Sequence, residues 1–297
     1  MINNKKEDAT MKRLIPGEVT TLTVKREVPF GYFLTNGKEE VLLRKSETEI
    51  PLTIDDNVTV FLYHDHQGRL CATTTKPKIT SDTYDWVEVV DVVPKLGVFV
   101  NIGISKDVLV SVDDLPPLPS LWPQRGDELY CSLKTDKRGR LLAQLATDEI
   151  VKEIAVKAPE SSFNQNIRGR VYRLIKVGAF IISDVGYLGF IHESQRRREP
   201  RLGEVVEGRI IGVKEDGTVN VSLLPRKHES IDEDAEAIYR YMESRGGAMP
   251  YSDKSDPDDI QTRFHMSKAA FKRALGRLMK EKKVYQENGW TYIVKDR

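Results

Sequence analysis

The stretch "GAFIISDVGYLGFIHESQ", residues 178–195, carries two apolar runs, Ala179–Ile182 and Leu188–Ile191, around a turn built from Ser183, Asp184 and Gly186. Short apolar runs divided by turn formers predict a β-hairpin. Core packing accounts for the aliphatic residues. It does not account for Phe180 two places after a glycine, or for His192, which follows the second run. Those two rings are either buried together or shown to a ligand.

The same rhythm occurs twice more upstream. "PFGYFLTNGKEEVLLRKSE" at 29–47 and "KLGVFVNIGISKDVLVSVDD" at 95–114 each place Gly-x-Phe before a loop and a second apolar run. The three copies share Gly31–Phe33, Gly97–Phe99 and Gly178–Phe180, and the position 13 or 14 residues past each glycine is polar: Arg44, Ser111, His192. Downstream, "DDNVTVFLYHDHQGRLCAT" (55–73), "GDELYCSLKTDKRGRLLAQ" (126–144) and "GEVVEGRIIGVKEDGTVNVS" (203–222) each read as an alternating strand, a tight turn on Gly68, Gly139 or Gly217, and a final strand. Five short strands in about 65 residues predict a small Greek-key barrel, closed so that no sheet edge is exposed. The repeat is too long for a solenoid unit, so three separate barrels are expected.

After "LLPRKHES" the period changes from two to about 3.6. "IDEDAEAIYRYMESRGG" aligns Ile231, Ala235, Ile238, Tyr239 and Met242 on one helical face, with Gly246–Gly247 as the stop. "SDPDDIQTRFHM" predicts a second helix. "SKAAFKRALGRLMKEKKV" predicts a third, capped by Ser267, with Phe271, Leu275, Leu278 and Met279 inward. "VYQENGWTYIVK" reads as a hairpin turning on Asn288–Gly289. Three helices and a hairpin make a winged helix-turn-helix. The expected plan is multidomain and mainly β: a tail at 1–12, barrels at 13–80, 81–149 and 150–227 (the last including a linker), and an α+β winged helix at 228–297.

The net charge of +1 conceals an uneven distribution. Residues 81–150 hold seven Lys and Arg against twelve Asp and Glu, a net of −5. Residues 160–227 come to +4 and residues 260–297 to +7. A polyanion would be drawn to the C-terminal half. No run of about 18 apolar residues is present, so no membrane span is expected. The polar start "MINNKKEDATMKR" does not read as a secretory signal. Cys71 and Cys131 lie in separate predicted strands and fit buried free thiols of a cytoplasmic protein. Two cysteines cannot build a four-ligand zinc site, and neither metal nor cofactor is expected.

The order Gly-x-Phe, "GFIHES", Gly-Glu-x-Val, a glycine turn and "VNVSL" resembles the S1-type RNA-binding domain, an OB-fold barrel. The third copy is the nearest match, and the likeness covers residues 13–227. With "SLWPQRGD", "EPRLGE" and "HMSKAAFKRALGRL", the order of modules is similar to the bacterial conserved virulence factor B family. That resemblance implies tandem RNA-binding barrels, a winged-helix end, and an effect on gene expression through RNA stability or translation.

Sequence-tolerant binding of single-stranded RNA needs exposed rings beside cations. The resemblance places the ligand-face aromatic at Phe33, Phe99 and Phe180, with Phe30 the one ring kept just before the glycine. It places the histidine site at Arg44, Ser111 and His192, and the late Asp/Arg pair at Asp65 with Arg69 and Asp136 with Arg140. In the third copy Lys214 and Thr218 replace that pair. The third copy adds Arg170, Arg173, Lys176, Arg196, Arg197 and Arg198, and is expected to bind first, with the first copy next and the acidic second copy a spacer. The third helix of the C-terminal module adds Lys268, Lys272, Arg273 and Arg277, a face suited to phosphate rather than to base edges. Each ring also fits simple packing, and each arginine a surface ion pair.

Catalytic templates such as G-x-x-x-x-G-K-[ST], H-E-x-x-H and G-x-S-x-G are missing. His64-Asp65-His66 offers no third metal ligand by spacing, and Gly186–Gly189 mimics a G-x-x-G loop without its basic context. A non-catalytic protein holding single-stranded RNA is the expectation. The alternatives are a duplex-DNA-binding regulator acting through the winged helix, and a ribosome- or protein-associated scaffold. The sequence leaves the oligomeric state open.

Overall fold

In the computed structural model, residues 13–225 and 227–294 are described; the expected tail at 1–12 lies outside them. The chain folds into two units, divided between Leu223 and Leu224.

The first unit holds three closed five-stranded barrels. The first is β1 (Val19–Val28), β2 (Gly31–Thr35), β3 (Glu40–Arg44), β4 (Asn57–His64) and β5 (Leu70–Thr73). The second is β6 (Asp85–Val93), β7 (Gly97–Asn101), β8 (Val108–Ser111), β9 (Glu128–Thr135) and β10 (Leu141–Leu145). A short helix, α1 (Asp148–Glu153), leads to the third: β11 (Asn166–Ile175), β12 (Gly178–Ser183), β13 (Leu188–His192), β14 (Val205–Val213) and β15 (Val219–Ser222). Around every barrel the strands run first, second, third, fifth, fourth, and the third pairs with the fifth in parallel. This is the OB-type order that the repeats predict.

The repeated glycine has a steric cause. Gly31, Gly97 and Gly178 open the second strand and lie directly opposite Arg44, Ser111 and His192. A Cβ at these positions would come within 2.3, 2.0 and 2.6 Å of the Leu43, Val110 and Ile191 carbonyl oxygens, so the close approach of the two strands admits no side chain. The first strand of each barrel also bulges, between Val24 and Arg26, Val89 and Asp91, and Val171 and Arg173. The extra residues are Lys25, Val90 and Tyr172. A bulge re-aims the side chains beside it, and these lie next to the Gly-x-Phe strand.

The barrels of this unit share cores at their joints. Phe61, Tyr63, Cys71 and Ile79 of the first barrel and its exit pack into one apolar cluster with Val87, Val98, Leu129 and Cys131 of the second. Leu202, from the loop before β14, joins the same cluster. Both cysteines are free and buried, and burial pushes both thiols up from their ordinary range.

The second unit is the winged helix: α2 (Lys227–Ser244), α3 (Pro257–Phe264), α4 (Lys268–Lys280), and a three-stranded sheet of β16 (Ala248–Met249), β17 (Val284–Glu287) and β18 (Trp290–Ile293). Asp256 and Ser267 cap α3 and α4 through the Asp258 and Ala270 N–H groups. Asn288 and Gly289 adopt φ of 48° and 82°, the conformation that a two-residue hairpin turn requires. Strand β16, two residues long, was not foreseen because so short a strand has no alternation to read. Met279, expected inward, is 37% exposed, because Phe271, Ala274, Leu275 and Leu278 fill the inner face of α4. No helix of the described residues is long and apolar enough to cross a membrane.

Candidate nucleic-acid interface

On the outer wall of the third barrel, Phe180 of β12 pairs laterally with Phe190 of β13 and with Arg173 of β11. Alternation along β13 carries His192 to the same face as Phe190. The result is a ladder of rings, Tyr172, Phe180, Phe190 and His192, with successive centroids 6.2, 5.0 and 6.3 Å apart. The Arg173 guanidinium lies 5.6 Å from the centre of the Phe180 ring. The three leading rings are half-buried and His192 is exposed. Burial pushes the Tyr172 phenol up to about 12, so it stays protonated as a donor. His192 Nδ1 accepts the Ser194 N–H at 3.2 Å and caps the turn Glu193–Gln195. In the neutral ring the proton then resides on Nε2.

Tyr172 and Phe190 were not singled out from sequence. Counting back two places from His192 would have found Phe190, but the aligned copies hold Leu42 and Leu109 there. Tyr172 is a bulge residue, and bulges break the alternation that identifies a face. Beside Tyr172 and Arg173, a groove of about 920 Å³ opens between the second and third barrels, walled by Leu115, Pro116, Leu118, Leu145 and Leu174.

The first barrel repeats the arrangement in part. Arg26 pairs laterally with Phe33 and lays its guanidinium 3.6 Å from the ring centre. Lys25 and Arg26 both grip Glu40, at 2.6 and 3.1 Å. Phe30 is 59% exposed at the turn before Gly31. In the second barrel an acid, Asp91, stands opposite Phe99 where the other copies have arginine, and Ser111 is engaged with Asp113.

Several residues expected on the ligand face make contacts within the protein. The Asp65 side chain is 4% exposed and takes both Arg44, at 3.0 Å, and Arg69, at 2.7 Å. It also accepts the Gln67 and Arg69 N–H groups, at 2.9 and 3.0 Å. Burial works to raise its pKa, but the Arg69 guanidinium and the two N–H groups outweigh this and hold the carboxyl far below the usual range. Asp136 and Arg140 lock the equivalent turn of the second barrel, at 2.7 Å. Lys106 clamps the first barrel to the second by donating to the His64 and Asp65 carbonyls, at 2.6 and 3.0 Å.

The basic loop "QRRREPRLGE" is likewise a joint. The Arg196 side chain is 3% exposed, bonded to the Ile191 carbonyl at 3.2 Å and to Glu199. Arg198 pairs with Glu204, and Arg201 reaches Asp127 of the second barrel at 3.2 Å. Arg170 pairs with Glu128 and packs 5.2 Å from the Trp86 ring centre, while Arg173 pairs with Asp148. Arg196 is withdrawn from solvent by its partners, whereas the Arg170 side chain keeps 27% exposure beside Glu128. Arg197 and Lys176 remain exposed. A charge count along the chain registers the arginines but not the acids brought to them from the neighbouring barrel.

In the second unit, α4 presents Lys272 and Arg273 to solvent and Lys268 in part. Arg277 is held by Asp232, at 2.7 Å, and by Glu281, at 3.0 Å.

Comparison with known proteins agrees with this architecture. Family models match in succession: an S1 domain over residues 16–75, the CvfB first S1-like domain over 84–144, the second domain of virulence regulatory factor CvfB over 151–225, and a CvfB-like winged helix domain over 236–293. The chain is 54% identical over 289 residues to the Bacillus subtilis uncharacterized protein YitL, spanning 97% of this chain and 96% of that one. It is 41% identical over 260 residues to conserved virulence factor B of Staphylococcus epidermidis, spanning 86% and 87% of the two. A crystal structure of a Streptococcus pneumoniae multidomain protein with nucleic acid binding domains superposes with a TM-score of 0.65 at 40% identity, over 94% of this chain and 98% of that one. The matched domains are of nucleic-acid-binding types and not of catalytic families.

Proposed function

The chain belongs to the conserved virulence factor B family, and from that premise we propose that it holds single-stranded RNA on the outer face of its third barrel. The observation that carries the reading is the ladder Tyr172–Phe180–Phe190–His192 with Arg173 beside it. The rings lie 5.0–6.3 Å apart with planes turned 43–68° from one another, so each offers its own face to a splayed-out unpaired base, a stack contributing about 1–3 kcal/mol. Paired bases hide those faces inside the duplex, so the ladder favours single strands. Phe33 with Arg26 and Phe30 forms a second, weaker site on the first barrel. The second barrel, with Asp91 beside Phe99, serves as spacer and joint. Lys268, Lys272 and Arg273 add phosphate contacts from the winged helix. Several weak sites on one chain raise the local concentration of the strand at each. Such a non-catalytic cytoplasmic protein would act on gene expression after transcription.

Anisotropy titrations of single-stranded RNA, duplex RNA and duplex DNA at several salt concentrations test the reading. A preference for single-stranded RNA supports it. Preference for duplex DNA would replace it with a winged-helix DNA regulator, and absence of binding would leave a scaffold.

A further inference from the structure

The outer face of the small C-terminal sheet carries rings that the basic helix does not account for. Tyr285 of β17 pairs laterally with Tyr292 of β18, and Trp290 lies two residues before Tyr292 on the same face. The Tyr285 and Tyr292 rings are 5.3 Å apart with planes at 23°, and Trp290 continues the row at 6.4 Å and 22°. Tyr285 is 47% exposed and Trp290 44% exposed. The opposite face of the sheet supplies the core of the unit through Met249, Val284 and Ile293, so the ring row has no packing task there.

We propose that the row Tyr285–Tyr292–Trp290 is a second base-stacking site, taking unpaired nucleobases of a single strand. Three near-parallel rings on a sheet offer planar faces that a base can extend, as β-sheet RNA readers do with their own aromatics. The phenol and indole tips remain polar and wettable, which suits a ligand that comes and goes in water. The face is nearly neutral: by alternation Glu287 shares it with Lys283, whose ammonium is already 2.9 Å from Glu281. Attraction of the strand therefore falls to the surrounding unit, where residues 260–297 carry a net +7, while the rings supply stacking. This site rests on the RNA reading only in taking an unpaired strand as ligand.

The test uses the full chain and a labelled single-stranded oligoadenylate, followed by anisotropy and by tryptophan fluorescence. Trp290→Ala and Tyr285→Ala each weaken binding by about 5- to 100-fold, and Trp290→Phe stays close to native. The slope of affinity against salt is unchanged in all three, because no charge is removed. Trp122 is 7% exposed and Trp86 is half-buried beside Arg170, so the exposed Trp290 carries most of the oligonucleotide quenching and Trp290→Phe loses that part. Binding of Trp290→Ala within two-fold of native, or quenching undiminished in Trp290→Phe, overturns the proposal. Equal weakening of duplex RNA also overturns it. If Phe180→Ala weakens binding and Trp290→Ala does not, the wing site falls and the third barrel stands. The reverse result removes the barrel and leaves the wing.

Discussion

Replacing the repeated phenylalanine in each barrel separates RNA binding from architecture. Phe180→Ala removes the centre of the four-ring ladder, so at least one base loses its platform. The expected loss is about 1–3 kcal/mol, a 5- to 150-fold rise in Kd. Phe33 carries a guanidinium 3.6 Å from its ring centre. A base must share that face, and an exposed cation–π contact is worth about 0.5–1 kcal/mol, so Phe33→Ala should cost about 2- to 30-fold. Phe99 faces Asp91, an acid where the other two copies have arginine, so Phe99→Ala should stay within two-fold. Filter binding or anisotropy with one single-stranded RNA at fixed salt reads the three Kd values. Phe180→Ala also forfeits ring contacts with Tyr172 and Phe190, about 1–3 kcal/mol of stability, so each variant is compared well below its melting temperature. An Arg173→Gln variant should lower the salt slope by no more than about one. If Phe99→Ala weakens binding as much as Phe180→Ala, or if folded Phe180→Ala binds like the native chain, the ladder is architecture and not an interface.

Asp65→Asn should lower stability by about 1–3 kcal/mol in urea titration, since Arg44, Arg69 and two N–H groups lose their carboxylate. The native Asp65 pKa lies below its ordinary value of 3.8. Its contribution is thus complete above about pH 4 and is lost as pH falls toward the depressed native value, so the native and variant curves should converge in acid. A gap that widens in acid would contradict this. Arg201→Ala takes the cation from Asp127, 13% exposed, and leaves Glu204, 10% exposed, with Arg198 alone. It should cost about 1–3 kcal/mol and speed hydrogen exchange at the Leu202 and Gly203 amides, which bond to Leu121 and Val171. Unchanged exchange there would show that the pair does not hold the joint. Both thiols should resist Ellman's reagent in the native chain and react on unfolding, because burial suppresses the thiolate. Rapid stoichiometric labelling of native protein would refute it.

The repeats determined the barrels, because what they record is local. Gly31, Gly97 and Gly178 answer to a strand approach set by neighbouring backbone, alternation reports one buried face, and Asn288–Gly289 needs no distant partner to turn. The winged-helix order was readable for the same reason, through caps, helical period and glycine stops. Tertiary structure decided which polar residues remain available to a ligand. Arg170, Arg196 and Arg201 look alike along the chain, yet Glu128 and Asp127 reach Arg170 and Arg201 once the second and third barrels meet, while Arg196 turns back onto Glu199 of its own loop. Asp65 reads as a ligand residue in sequence and becomes a saturated acceptor only when β3 brings Arg44 to the late turn. Tyr172 and Phe190 joined the site through a bulge and a lateral pairing. Charge pairing and ring stacking act across space, over distances in sequence that no local pattern encodes.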